Sequence, residues 1–132
     1  MKLHSILFTI FLTVNTFSGL VHWLAPDSGI NSVAQMNLRP NNNTFKTAVG
    51  FLSLEGVERI FSTIVISYIL LSDSQNYDTN IVNISKLLLI KTATNHITHE
   101  YYKAFPNMNN APGRFKTAVE LMLLIPILFI TH

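Results

Sequence analysis

Three charged side chains, Glu55, Glu58 and Arg59, sit inside the otherwise apolar stretch Thr47 to Leu71, which is long enough to span a bilayer. Ionisable groups at that depth are costly, so they face a protein interior and mark either a structural ion pair or a functional site. A chain built this way is expected to be a membrane protein with a polar core.

Composition points the same way. Of 132 residues, 48% are hydrophobic and only 12% charged, against roughly 25% charged in a soluble domain, and the mean hydropathy is +0.33. The length allows one small bundle and no separate soluble domain. The net charge of +2 arises from scattered lysines and arginines without a basic run, so nucleic acid is not an expected partner. Cysteine is absent, which excludes thiol redox chemistry, cysteine-ligated clusters and disulfide exchange.

Four segments are candidate spans: Leu3 to Leu24, Thr47 to Leu71, Ile81 to Tyr102 and Phe115 to Ile130. The expected fold is an all-α bundle of four transmembrane helices in one domain covering 1–132. The third segment is the weakest, because its one compact apolar run, Leu87 to Ile90, is flanked by Lys86 and Lys91. It reads as a span because its lysines can meet carboxylates inside the bundle. The fourth carries Pro126, expected to kink it or end its regular hydrogen bonding. Lys2 followed by an apolar run also suits a cleaved signal peptide, but no small-x-small cleavage site is present and the apolar stretch continues through Val21, Trp23 and Leu24.

The connections read as polar: Ala25 to Lys46 with Pro26, Pro40 and Asn41 to Asn43; the short acidic Ser72 to Asn80; and Lys103 to Lys116 with Pro106, Pro112 and Gly113. Asn42 begins a glycosylation acceptor pattern that is too common to weigh. With four spans, Arg39, Lys46, Lys103, Arg114 and Lys116 gather on one side, which places both termini outside, although Lys2 pulls the other way.

On a helix the second segment sorts its residues cleanly. Glu55, Glu58, Arg59, Ser62 and Thr63 share one face, and Leu54, Val57, Ile60, Phe61, Ile64 and Tyr68 the opposite one. Glu55 precedes Arg59 by four residues, the favourable order for a helical pair, which leaves Glu58 in need of a base from a neighbouring helix or of its own proton. Glu55 lies roughly 12 Å into its span and Glu120 roughly 8 Å into the fourth, from the same side of the membrane. Lys91, Asn95, His96, His99 and Glu100 of the third segment and His22 and Trp23 of the first end on that side too. Every helix thus sends polar groups toward one half of the bundle.

Plainer readings stand beside this one. Glu55, Arg59 and Glu120 suit an ion-pair network that fixes helix register and adds little net stability. His96 and His99 with Glu100 have helical spacing that suits metal ligands, but the His-Glu-x-x-His order is absent and no metal site is expected. His22, Trp23, Tyr101 and Tyr102 suit interfacial anchors, and Lys86 and Lys91 suit snorkelling side chains.

The run Gly19-Leu20-Val21-His22-Trp23-Leu24-Ala25-Pro26, Gly50 and Arg59 in the second segment, and Pro112-Gly113-Arg114 leading into Ala118-Val119-Glu120-Leu121 resemble small four-helix membrane proteins of the DoxX type and related uncharacterised families. The resemblance implies a multi-pass bundle in the cytoplasmic membrane, with functional polar positions at Glu55, Glu58 or Arg59 and at Glu120. For some members it implies association with quinone-linked oxidoreduction. The lysine-bearing third segment and the Glu55–Glu58 pair depart from the pattern. Small multidrug transporters carry their glutamate on the first helix, which here has none.

Two functions follow as expectations. One is a non-enzymatic accessory or scaffold subunit without a cofactor, with Glu55, Glu58, Arg59, Lys91 and Glu120 as internal ion pairs and a homodimer or another membrane protein as partner. The other is a transporter, or a binder of a quinone-like ligand or small solute, in which Glu58 and Glu120 exchange protons and Arg59 faces an anion or carbonyl. No nucleophile and base stand at recognisable spacing, so a conventional enzyme is not expected.

Overall fold

The structure is a computed structural model that describes residues 2–28, 43–102 and 111–130, leaving aside the side chains of residues 28, 99, 102 and 111–114. Four long helices account for nearly all of it: α1 (Leu3–Leu24), α2 (Asn43–Ser72), α3 (Tyr77–Tyr102) and α4 (Ala111–Phe129). Single turns at Pro26–Ser28 and Ser74–Asn76 complete the described elements, and no strand occurs among the described residues. The loop cations Arg39 and Lys103, the pattern at Asn42, Pro106 and the Arg114 side chain lie outside them.

Cross-helix contacts fix the topology. His22 meets Glu55 and Asn15 meets Thr63, so α1 and α2 are antiparallel; Thr92 meets Glu120 and His96 meets Thr117, so α3 and α4 are antiparallel too. His4 at the start of α1 meets Asp78 at the start of α3, which makes those two helices parallel. The result is an up-down-up-down bundle.

The first helix has its expected bounds, and the other three begin four residues early in ways that local chemistry explains. α2 begins at Asn43 and α4 at Ala111, each four residues early. Pro112 is compatible with the first turn of α4, where backbone N–H groups have no intrahelical partner in any case. Pro126 does not end α4, which continues to Phe129, with the Ile130 N–H donating to the Pro126 carbonyl. α3 opens at Tyr77, ahead of the expected Ile81, with Asp78 in its first turn where the helix dipole favours an anion. The Asp73 carboxylate just before it accepts from the side-chain amides of Asn76 and Asn80.

Only α1, among the described helices, is long and apolar enough to cross a membrane by itself. The other three expected spans do not meet that measure among the described residues. In α2 the reason is the charged triplet: every 18-residue stretch of that helix contains Glu55, Glu58 and Arg59. In α3 the apolar run is too brief.

The interior divides along the bundle axis. Phe8 and Phe11 of α1, Leu70 of α2, Ile81 of α3 and Leu124 and Ile127 of α4 form one buried cluster, with the two phenylalanine rings stacked at 6.3 Å. This cluster lies toward the end where α2 hands over to α3. The opposite half is where the polar side chains converge.

Candidate functional site

In that half α1 and α2 cross at their backbones. A Cβ on Gly56 would lie 2.5 Å from the Gly19 carbonyl oxygen and 2.5 Å from the Trp23 amide nitrogen, and a Cβ on Gly19 would lie 2.9 Å from the Gly56 carbonyl. Side chains are excluded there, so the helices approach as small-residue crossings allow. The polar groups that flank the glycines come into reach of one another.

Arg59 is the centre of this arrangement. It is 8% exposed. Its Nε donates to Glu55 Oε1 and its Nη1 donates to Ser18 Oγ at 3.1 Å. The second Glu55 oxygen is 2.5 Å from His22 Nδ1, so one carboxylate joins the cation of its own helix to the histidine of the next. Asn15 continues the seam, its amide donating to the Arg59 carbonyl at 3.2 Å and to Thr63 Oγ1 at 3.1 Å. Ser62 and Thr63 donate to that same carbonyl, the back-bonding pattern that relaxes a helix locally.

A second polar seam joins α3 to α4. Thr92 is buried and donates to Glu120 Oε2 at 2.6 Å, while Lys116 Nζ stands 3.7 Å from Glu120 Oε1. Thr117 and His96 Nδ1 share a longer hydrogen bond of 3.3 Å, and His96 Nε2 is 3.9 Å from Glu100.

Between the two seams lies a polar cavity of about 20 Å³ bounded by Arg59, Lys91, Thr92, Asn95, Lys116 and Glu120. That is room for a single water. A larger cavity of about 160 Å³ opens between α1 and α4, and shares Phe11, Asn15, Arg59, Lys116 and Glu120 with the first.

The expected site residues divide accordingly. Glu55, Arg59 and Glu120 take part in the two seams, and Lys91 and Asn95 line the small cavity while staying exposed on the α3 surface. His22 is a partner of Glu55. His96 pairs along its own helix and with Thr117, and the His99 side chain lies outside the described residues. Glu58 is the correction. It is exposed, makes no ion pair among the described residues, and shares its face of α2 with exposed Leu54 and Phe61. The α1–α2 crossing rotates that edge of α2 outward, which separates Glu58 from Glu55.

The sequence reading missed Asn15, Ser18, Thr92 and Lys116. The signal was available for the first two: Asn15, Ser18, Gly19 and His22 recur at helical spacing as small or polar residues along one side of an apolar segment. It also missed a third cluster at the opposite end of the bundle. There Asp78 accepts from Lys2 and from the fully buried His4, whose Nε2 is 2.6 Å away.

Comparison of the chain with family models, with curated proteins and with solved structures yields no match.

Proposed function

We propose that this chain is a multi-pass membrane protein that serves as an accessory or scaffold subunit, its buried ionic network holding helix register. The observation that carries the reading is the combination of buried polar side chains with large apolar side chains exposed on every long helix. Arg59, His4, Ser85 and Thr92 are buried, whereas Phe17 of α1, Phe51, Phe61 and Leu71 of α2, Leu87 and Ile97 of α3 and Phe115, Met122 and Phe129 of α4 are exposed. Apolar side chains outward on every long helix suit a hydrocarbon surround.

A structural role for the network is supported by its geometry. Glu55, Arg59 and His22 straddle the Gly19–Gly56 crossing, where pairing compensates the desolvation of each charge. The polar cavity between the two seams holds no more than a water, too little for a solute to pass between them. The resemblance to DoxX-type proteins contributes nothing further to this proposal.

The native chain lacks cysteine, so single cysteines report sidedness without background. Thr44→Cys and Ser74→Cys, at opposite ends of α2, are expected to react with a membrane-impermeant maleimide from opposite sides of sealed vesicles, in protein that resists carbonate extraction. Release by carbonate, or equal labelling of both from one side, sinks the multi-pass reading. The structural role has its own test: Arg59→Gln lowers the thermal midpoint and the expression level, whereas a proton-exchanging site would tolerate it and change only in pH response.

A further inference from the structure

We infer that the cavity between α1 and α4 is a binding site for one anionic phospholipid, its phosphate at Lys116 and Arg59 and the upper part of one acyl chain between the helices; this rests on the membrane reading above. Three observations lead there.

The first is the shape of the lining. Along α4 the wall runs Phe115, Lys116, Val119, Glu120, Leu123, and along α1 it runs Ser18, Asn15, Val14, Phe11. On both helices the polar groups lie toward the same end of the cavity and the wall finishes on an apolar side chain, Leu123 or Phe11, toward the middle of the bundle. A phospholipid in the adjoining leaflet has that same order of head and chain along the bilayer normal. Val14 and Phe115 at the rim are exposed, so the cavity opens sideways toward the surroundings of the bundle.

The second is charge. The two adjoining cavities carry Arg59, Lys91 and Lys116 against Glu120, and Glu55 is committed to Arg59. Three positive charges facing two negative ones leave one positive charge, which a phosphodiester monoanion complements. The third is unused donor capacity. Among the described residues Arg59 spends Nε and Nη1 on Glu55 and Ser18, out of five guanidinium N–H donors. Lys91 makes no hydrogen bond or ion pair among the described residues. Lys116 has only the loose 3.7 Å approach to Glu120. Cations grouped at one end of an apolar cleft form a recognisable pattern for lipid headgroups.

The test uses the full chain reconstituted into vesicles and then analysed by native mass spectrometry in detergent. Phosphatidylglycerol and phosphatidylcholine with the same acyl chains are supplied in equal amounts. The expected result is at least tenfold greater retention of phosphatidylglycerol. In Lys116→Gln the ratio falls to about one, and Lys116→Arg restores it. Val14→Trp, which fills the cleft from its exposed rim, abolishes retention of both lipids while the thermal midpoint in lipid-free detergent stays unchanged. Equal retention of the two lipids by the wild type, or an unchanged ratio in Lys116→Gln, overturns the proposal. It is overturned as well if inorganic phosphate alone raises the thermal midpoint as much as phosphatidylglycerol does, because the ligand is then a free anion. Failure to enter vesicles of either lipid identifies the membrane reading itself as the part that fails.

Discussion

Two clusters in this bundle have the same ingredients and different settings. Near one end a carboxylate, Glu55, bridges a strong cation, Arg59, and a histidine, His22; at the other a carboxylate, Asp78, bridges Lys2 and His4. In the first the cation is buried, with a side chain 9% exposed, and in the second it is 57% exposed. Arginine suits the enclosed position because its planar guanidinium satisfies several partners in fixed directions, whereas a lysine ammonium at a helix end keeps much of its hydration. The first cluster also sits against a backbone crossing that admits no side chain. Charge pairing alone is therefore a poor guide to energetic weight; enclosure and the backbone around it decide.

Breaking the crossing is expected to have the largest effect. In Gly56→Ala the new methyl meets the Gly19 carbonyl and the Trp23 amide, and these are backbone atoms that cannot swing aside. A loss of ~3 kcal/mol is expected, at the upper end of overpacking costs, read as the shift in a reversible unfolding curve in detergent. A Gly56→Ala protein as stable as the wild type would remove the close crossing from the account. Next comes Arg59→Gln, which strands Glu55 with His22 alone. Removing one partner of a buried pair costs about 3–5 kcal/mol, and the 38% exposure of the Glu55 side chain reduces this to about 2 kcal/mol. The double variant Glu55→Gln/Arg59→Gln is expected to recover part of that loss, because no uncompensated charge remains. Additive losses in the cycle would show that the two side chains act independently.

The contrast also separates what was legible in the sequence from what was not. Helical periodicity and the Glu55–Arg59 spacing lie within one segment, so the four helices and that pair could be read directly. The gathering of Glu55, Arg59, Lys91 and Glu120 in one half followed from depth along antiparallel helices. Rotation about the helix axis was beyond reach. Glu58 shares a calculated face with Glu55, yet it is turned outward, because Gly19 and Gly56 set which line of α2 meets α1. The Asp78 cluster was hidden for a related reason. It joins residues 74 and 76 positions apart, at helix starts where hydropathy gives no signal, and in a helix that begins four residues earlier than its apolar run suggests.

At the exposed end a smaller effect is expected, and pH shows it best. Hydrogen bonds from Lys2 and then His4 hold the Asp78 carboxyl below the usual carboxylate range. A lowered folded-state value means that the contribution is complete above the unfolded carboxylate range and is lost as pH falls through the folded value. Thermal midpoints of wild type and Asp78→Asn should therefore differ near neutrality and converge as the pH is taken down past that lowered value. Added salt should narrow the neutral difference, because Lys2 is open to solvent. A difference that grows in acid would reverse the sign assigned to this carboxylate.

The smallest expected change sharpens the comparison from within α2. Gly50 lies on the same helix as Gly56 and is exposed, and a Cβ placed on it meets nothing within 4 Å. Gly50→Ala is expected to leave the fold unchanged or to stabilise it by about 0.5–1 kcal/mol, as alanine does at an unobstructed helical position. The two glycine-to-alanine changes make the same chemical alteration six residues apart, so helix propensity and added hydrophobicity are common to both. Any difference between them in unfolding free energy belongs to the α1–α2 contact. If Gly50→Ala were as damaging as Gly56→Ala, the penalty would lie in the helix itself, and the Glu55–Arg59–His22 cluster would lose the backbone crossing that distinguishes it from the Asp78 cluster.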